Sequence, residues 1–375
     1  MNSSSLLIAA WRLSSPAFAI LAGIALTLAS AGPSSAGPSV ASAASAASAA
    51  SAASEPASAK GDAESERLSK AIAAVVKLKT RALPNARSLN SLGAEREGSA
   101  IVIGPNNLLL TIGYLIVEAE TVEVENHEGK LIPATVVAYD HSTGFGLVRA
   151  LAPVGVTPIE LGSSSRITPA DSAIFASAGG IDSASSTTLV AKRRFAGYWE
   201  YMIDDALFTS PPRFDHSGAA LIDRSGKLVG VGSLIVADAT PGSGAAGGRG
   251  KLPGNMFVPI DLLKPIMDEM IKTGSSKLGK RPWLGITSQE MQGRVFVQRV
   301  QTESPAERAG IEQGDILLAV GPDKVSTLED FYSILWKNRQ PGDEVTLTML
   351  QGSEIRKIVV KSIDRTQYAR SRSSI

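Results

Sequence analysis

"FDHSGAALIDRSGKLVGVGSL", Phe214 to Leu234, decides how this chain folds. Two short apolar runs, "GAALID" and "KLVGVGSLIVA", stand on either side of a polar Asp-Arg-Ser-Gly break. Runs of roughly four to eight residues rich in Val, Ile and Leu, bounded by Gly, Asn and Asp, read as strands joined by turns. The same texture extends outward in both directions. Towards the N-terminus lie "AIAAVVKLKT", "GSAIVIG", "NNLLLTIG", "TVEVE", "KLIPATVVAYD", "DSAIFASAGG" and "TTLVAKRRF". Towards the C-terminus the pattern changes period: in "PIDLLKPIMDEMIKTG", Pro259 to Gly274, the residues Leu262, Leu263, Ile266, Met267 and Met270 recur at helical spacing. Two β units followed by a helix predict one two-lobed, all-β domain over residues 67–274.

Past the polar joint "SSKLGKR" (Ser275 to Arg281) lies a second unit, 281–365. Strands are expected at "RVFVQRV", "DILLAVG", "EVTLTML" and "IRKIVVKSI". "TLEDFYSILWKN" (Thr327 to Asn338) reads as a helix opened by Thr327 as cap, with Asp330 three residues on. "SPAERAG" reads as a shorter helix ending at Gly310. A short tail, 366–375, follows.

The totals narrow the function classes. The 375 residues carry a formal net charge of +1 and are 44% hydrophobic, enough for two or three globular units with ordinary cores. Near-neutral charge leaves no electrostatic footprint for nucleic acid. The basic cluster Lys192, Arg193 and Arg194 reads as a solvated hairpin. Without cysteine there is no disulfide framework, thiolate chemistry or Cys-based metal site, and no cofactor or metal motif is found. The Gly-rich insert "TPGSGAAGGRGKLPG", Thr240 to Gly254, fits no phosphate-binding pattern and reads as a loop.

The first residues read as an export signal. Arg12 precedes "PAFAILAGIALTLASA", which ends in the small-x-small pattern Ala29-Ser30-Ala31. Cleavage after Ala31 gives a signal peptide 1–31 and a periplasmic protein; the alternative is an uncleaved inner-membrane anchor, the only membrane association expected. Residues 32–66, with their Ser-Ala-Ala triplets, present no consistent helical face and read as a flexible linker.

Taken together, these features resemble the HtrA/Deg family of exported serine proteases, a trypsin-like double β-barrel followed by a PDZ domain. "WLGI" (Trp283 to Ile286) resembles that family's carboxylate-binding loop, and "SPAERAGIEQGDILLAVG" and "QPGDEVTLTMLQGSEIRKIVV" resemble later parts of its PDZ domain. "GSAIVIGPNNLLLTIGYLI" is similar to the stretch ending in the Thr-x-x-His-Val histidine motif. "VVAYDHSTGFGLVRA" is similar to the stretch holding the catalytic aspartate. The opening segment is similar to the nucleophile strand pair, usually Gly-x-Ser-Gly-Gly-Pro, and "LPGNMFVPIDLLKPI" to the strand leading into the closing helix. The resemblance places Tyr114 at the histidine position, Gly144 at the aspartate position and Ser217 at the serine position. It places the oxyanion hole at Asp215 and Ser217, and peptide binding at Trp283, Leu284, Gly285 and Ile286.

A serine hydroxyl is a poor nucleophile until a base takes its proton. Imidazole has a suitable pKa, whereas a tyrosine, with an ordinary pKa of about 10, does not. Gly144 has no side chain to orient a base, and Asp215 puts a carboxylate where a developing anion would sit. Losing a triad base costs on the order of 10⁶ in turnover in a well-studied protease. The expectation is therefore a pseudoprotease that binds polypeptide C-termini or misfolded chains through its PDZ domain. The resemblance implies a homo-oligomer, a trimer in many relatives, or assembly with an active paralogue. The alternative is an endopeptidase using Ser217 with a non-standard base. His141 is the least implausible substitute, ahead of His216 and His127, and no lysine is marked for a Ser–Lys dyad. A structural envelope protein is the plainer third reading.

Overall fold

A computed structural model of the protein describes residues 55–240, 251–277 and 279–369. The expected signal peptide, most of the linker, most of the Gly-rich loop and the last tail residues lie outside the described residues. The first element is helix α1 (Glu55–Ala73), so the stretch from Glu55 to Glu66, expected as linker, is helical. The Ser-Ala-Ala triplets end before Glu55. Beyond them an i,i+4 pair, Glu66–Lys70 at 2.7 Å, supports the helix, and Ala71 and Ile72 are buried at its docked end.

The first barrel is built from β1 (Val75–Ala82), β2 (Glu95–Gly104), β3 (Leu108–Ile112), β4 (Ala119–Glu125), β5 (Leu131–Tyr139) and β6 (Phe145–Ala150), closed in the order β1-β2-β3-β6-β5-β4. A one-turn helix, α2 (Leu89–Leu92), lies between β1 and β2. In β1 the alternation is direct: Val76, Leu78, Thr80 and Ala82 are buried, while Lys77, Lys79 and Arg81 are not. All five residues of β3 are buried, because β3 has barrel interior on one side and the second barrel on the other.

That second barrel comprises β7 (Ser172–Ala176), β8 (Ser185–Gly197), β9 (Tyr201–Ser210), β10 (Ala220–Ile222), β11 (Leu228–Val236) and β12 (Gly254–Pro259). It closes as β7-β8-β9-β12-β11-β10, the same order as the first. The opening segment supplies β10, β11 and the turn between them. Asp223 makes that turn: its Oδ1 accepts from Ser225 N at 2.8 Å and Lys227 N at 3.0 Å. Lys192, Arg193 and Arg194 lie along β8 and are engaged within the protein. Lys192 Nζ donates to the Ser164 carbonyl, Arg193 covers the Phe208 ring and Arg194 pairs with Asp204.

The closing helix is shorter than its periodicity predicts. β12 runs to Pro259, a 3₁₀ turn covers Ile260–Leu262, and α3 spans only Met267–Thr273. Pro265 has no N–H to donate and disfavours helix in the residue before it, so α3 starts beyond it. The expected apolar face is nevertheless buried at Leu263, Ile266 and Met270.

The C-terminal unit contains β13 (Pro282–Trp283), β14 (Ile286–Met291), β15 (Arg294–Val300), α4 (Pro305–Arg308), β16 (Ile316–Val320), β17 (Asp323–Lys324), α5 (Leu328–Trp336), β18 (Glu344–Gln351), β19 (Glu354–Lys361) and β20 (Ile363–Asp364). Its main sheet runs β14-β15-β16-β18-β19, with β17 on β16, and β13 pairs with β20. α5 opens with the expected capping box: Thr327 Oγ1 accepts from Asp330 N at 3.0 Å, and Asp330 Oδ2 accepts from Thr327 N at 3.1 Å. Phe331, Tyr332 and Leu335 of α5 join Leu284, Ile286, Val295, Leu347 and Val360 in a separate core.

Candidate functional site

Two tight turns of the first barrel and one of the second meet in a cleft. Tyr114 sits in the 3₁₀ turn Gly113–Leu115 that ends β3. Gly144 lies in the turn between β5 and β6, and Ser217 in the turn that enters β10. All three line one cavity of about 480 Å³, which extends to Gly285 and Ile286 of the C-terminal unit. The serine turn is anchored across the barrels: Ser99 N donates to the Ser217 carbonyl at 2.8 Å, and Thr111 Oγ1 donates to the Ser99 carbonyl at 2.7 Å. Gly218, at φ +74°, permits this approach, because a Cβ there would lie 2.1 Å from the Ser99 carbonyl oxygen.

Tyr114 Oη lies 2.9 Å from Ser217 Oγ and 2.8 Å from the Ser233 carbonyl. A phenol has one hydrogen and a carbonyl can only accept. Tyr114 therefore donates to Ser233, and Ser217 donates to the phenol. Burial pushes the Tyr114 phenol up to about 12, against the lowering influence of the Ser217 bond. At neutral pH the group that receives the serine hydrogen bond is a neutral phenol with no capacity to take its proton.

Gly144, where the resemblance expects an aspartate, is approached from elsewhere in the fold. Tyr201, the first residue of β9, donates its hydroxyl to the Thr143 carbonyl at 2.7 Å. A Cβ on Gly144 would come within 3.2 Å of that hydroxyl, and Gly144 has φ +82°. The nearby Asp140 is committed to its own turn, its Oδ2 accepting from Ser142 Oγ, Thr143 N and Thr143 Oγ1.

None of the histidines supplies a base, since among the described residues the hydrogen-bond partner of Ser217 Oγ is Tyr114. His141 shares the cavity, but its Nδ1 is buried without a partner and its ring packs on Tyr139. Burial, with help from Arg365, lowers its pKa to about 3. His216 donates Nδ1–H to the Arg213 carbonyl at 3.2 Å. His127 donates Nε2–H to the Ala73 carbonyl at 2.8 Å. No lysine lines the cavity among the described residues.

Asp215 does not take the left-handed backbone conformation. Its carboxylate is drawn into a pair with Arg213, whose Nε donates at 2.9 Å, and accepts from Ser177 Oγ at 2.5 Å. Partial burial works against its charge, but Arg213 and Ser177 hold the carboxyl below its usual range. An anion-stabilising pocket beside an ionised carboxylate is poorly placed to bind negative charge.

The loop from Trp283 to Ile286 has a defined task in this structure. The N–H groups of Leu284, Gly285 and Ile286 converge on one carboxylate, the side chain of Glu200 between β8 and β9. The distances are 2.9 Å to Oε2 and 2.7 Å each to Oε1. Gly285, at φ +89°, turns its N–H inward, and a Cβ there would strike Ser304 at 2.3 Å.

Two family models match the chain in order, a trypsin-like peptidase domain over residues 98–231 and a PDZ domain over 282–361. Among curated proteins, the serine protease PepD of Mycobacterium tuberculosis is 27% identical over 270 residues, covering 67% of this chain and 57% of its own. The periplasmic pH-dependent serine endoprotease DegQ of Escherichia coli is 22% identical over 272 residues, covering 68% of this chain and 57% of its own. The two domains, their order and the relatives make the chain similar to the HtrA family. It spans under three-fifths of the length of these relatives, 57% in each case. A solved structure of the HtrA-type protease AlgW with a decapeptide covers 82% of this chain and 99% of its own, at 19% identity and a TM-score of 0.48.

Three residues outside the expected set prove central to this HtrA-fold chain: Tyr201 behind Gly144, Glu200 reaching the PDZ loop from the β8–β9 hairpin, and Tyr332 beside it. They sit in "GYWEY" and in the middle of α5. Neither segment has a motif, so no local signal marks them; only an unusual cluster of aromatics around Glu200 hints at a packed tip.

Proposed function

We propose that this HtrA-fold protein is a pseudoprotease that binds polypeptides and does not cut them. The observation that carries the reading is the Ser217 hydroxyl donating to Tyr114, a phenol pushed up to about 12, where hydrolysis requires a base. Support also comes from the carboxylate at Asp215 and from Tyr201 behind Gly144. What persists is recognition: three converging N–H groups on the PDZ loop suit the carboxylate of a polypeptide C-terminus, and β14 offers an edge for strand addition. Relatives named periplasmic, together with the apolar leader, support export to the periplasm. There the protein acts in protein quality control or regulates an active HtrA-type relative, as a homo-oligomer or in mixed assembly.

The test is hydrolysis of an unfolded protein substrate, with fluorophosphonate labelling, by the mature chain and by Ser217→Ala. The expected outcome is neither turnover nor labelling in either protein. Turnover and labelling present in the parent and lost in Ser217→Ala would overturn the reading in favour of an endopeptidase with a rearranged base.

A further inference from the structure

The tip between β8 and β9, Tyr198-Trp199-Glu200, lies in the PDZ groove between β14 and α5. Ser288 N of β14 donates to the Tyr198 carbonyl at 2.8 Å, a strand-addition bond made by a segment of the same chain. Tyr332 Oη of α5 donates to the Gly197 carbonyl at 2.6 Å and receives Glu200 N–H at 3.2 Å. Ala196 and Met202, flanking the tip, pack on the PDZ core. Arg365 donates to the Trp199 carbonyl at 3.1 Å and Arg281 to the Met202 carbonyl at 3.0 Å.

Glu200 is 6% exposed and has φ +54°. The left-handed position of a three-residue hairpin loop normally takes glycine or asparagine. A glutamate there is intrinsically disfavoured, and its carboxylate is buried as well, so both costs have to be offset by what the carboxylate reaches. It reaches three backbone N–H groups and completes the pattern of an extended ligand with a terminal carboxylate: backbone pairing to β14 at one residue and the acid group on the loop two residues later.

We propose that the PDZ groove is closed in the resting molecule by its own β8–β9 hairpin, with the Glu200 carboxylate standing in for a ligand's C-terminal carboxylate, so that an incoming C-terminus binds by displacing the hairpin. This rests on the reading of the PDZ domain as a peptide binder. The hairpin is continuous with β9, which carries Tyr201 behind Gly144, and so its release also disturbs the wall of the degenerate cleft. A competing internal ligand raises the apparent Kd by the inverse of the fraction of molecules that are open.

The experiment uses the full mature chain, its Glu200→Ala variant and a second variant, Tyr332→Phe, which keeps the N–H loop intact. Hydrogen exchange is followed across residues 195–203 and 283–290. Binding is measured with fluorescein-labelled decapeptides of randomised sequence ending in apolar residues, as free acids and as C-terminal amides. Expected are faster exchange in both segments of Glu200→Ala and binding of the free acids tightened by about tenfold or more relative to the parent, with a smaller gain in Tyr332→Phe. Equal affinity in parent and variants would overturn the internal-ligand proposal while leaving peptide binding intact. Faster exchange with no acid-specific binding in any protein would overturn both, leaving Glu200 as a joint between two domains.

Discussion

At Ser217 the decisive fact is the direction of one hydrogen bond. A triad serine donates to a neutral imidazole that then takes the proton; here it donates to a phenol whose own hydrogen is held by Ser233. On the proposed pseudoprotease reading, restoring the family residues is not expected to give hydrolysis. The double substitution Tyr114→His, Gly144→Asp is expected to show no turnover of an unfolded substrate, because an aspartate at 144 meets the Tyr201 hydroxyl on a backbone at φ +82°. Activity in the double variant would show that the scaffold around Ser217 is still competent. The substituted positions were legible through the family resemblance, which fixes them relative to Thr111, Asp140 and the Ser-Gly pair. The replacement partners were not, since Tyr201 and Ser233 reach the cleft from β9 and β11.

At the level of elements, local rules held where the interaction closes within one turn. Thr327 and Asp330 cap α5 as the spacing implies, and Thr327→Ala is expected to lower the stability of the PDZ unit by about 1 kcal/mol, read as a lower midpoint in urea unfolding. Asp223 likewise makes the β10–β11 turn from contacts no further than Lys227. Local rules failed at α1 and α3. The start of α1 lacks a bulky apolar face, and its docking is concentrated in the last turn. Ahead of α3, Pro265 divides an apolar face that is buried on both sides of it.

For the molecule as a whole, Glu200 ties barrel to PDZ domain and makes that tie sensitive to protons. Burial raises its carboxyl to about 7 from an ordinary 4.5, against the lowering influence of the three loop N–H groups and Arg365, with Tyr332 the buried titratable neighbour on α5. A raised acid pKa means that the docked state holds more protons than the released state between those two values. Stability of the docked arrangement is therefore full below about pH 4.5, falls as pH rises towards 7, and levels off above it. The span is on the order of 3 kcal/mol. Limited proteolysis across the β8–β9 hairpin should accelerate from pH 5 to pH 8 in the parent chain, and this acceleration should be lost in Glu200→Gln. A flat profile in the parent would count against Glu200 as the titrating group.

The amino-acid sequence by itself determined the strands, their turns, the order of two β lobes and a PDZ unit, and which residues stand where the family resemblance expects a histidine, an aspartate and a serine. Each of these depends on contacts within a few residues or on a pattern that reads along the chain. Tertiary structure alone decided what those residues face: a phenol on Ser217, a tyrosine hydroxyl behind Gly144, and a glutamate on the carboxylate loop 84 to 86 residues away. Closing each barrel brings together turns from distant strands, and the length of β8 and β9 carries Glu200 to the PDZ domain. Neither consequence has a local signature.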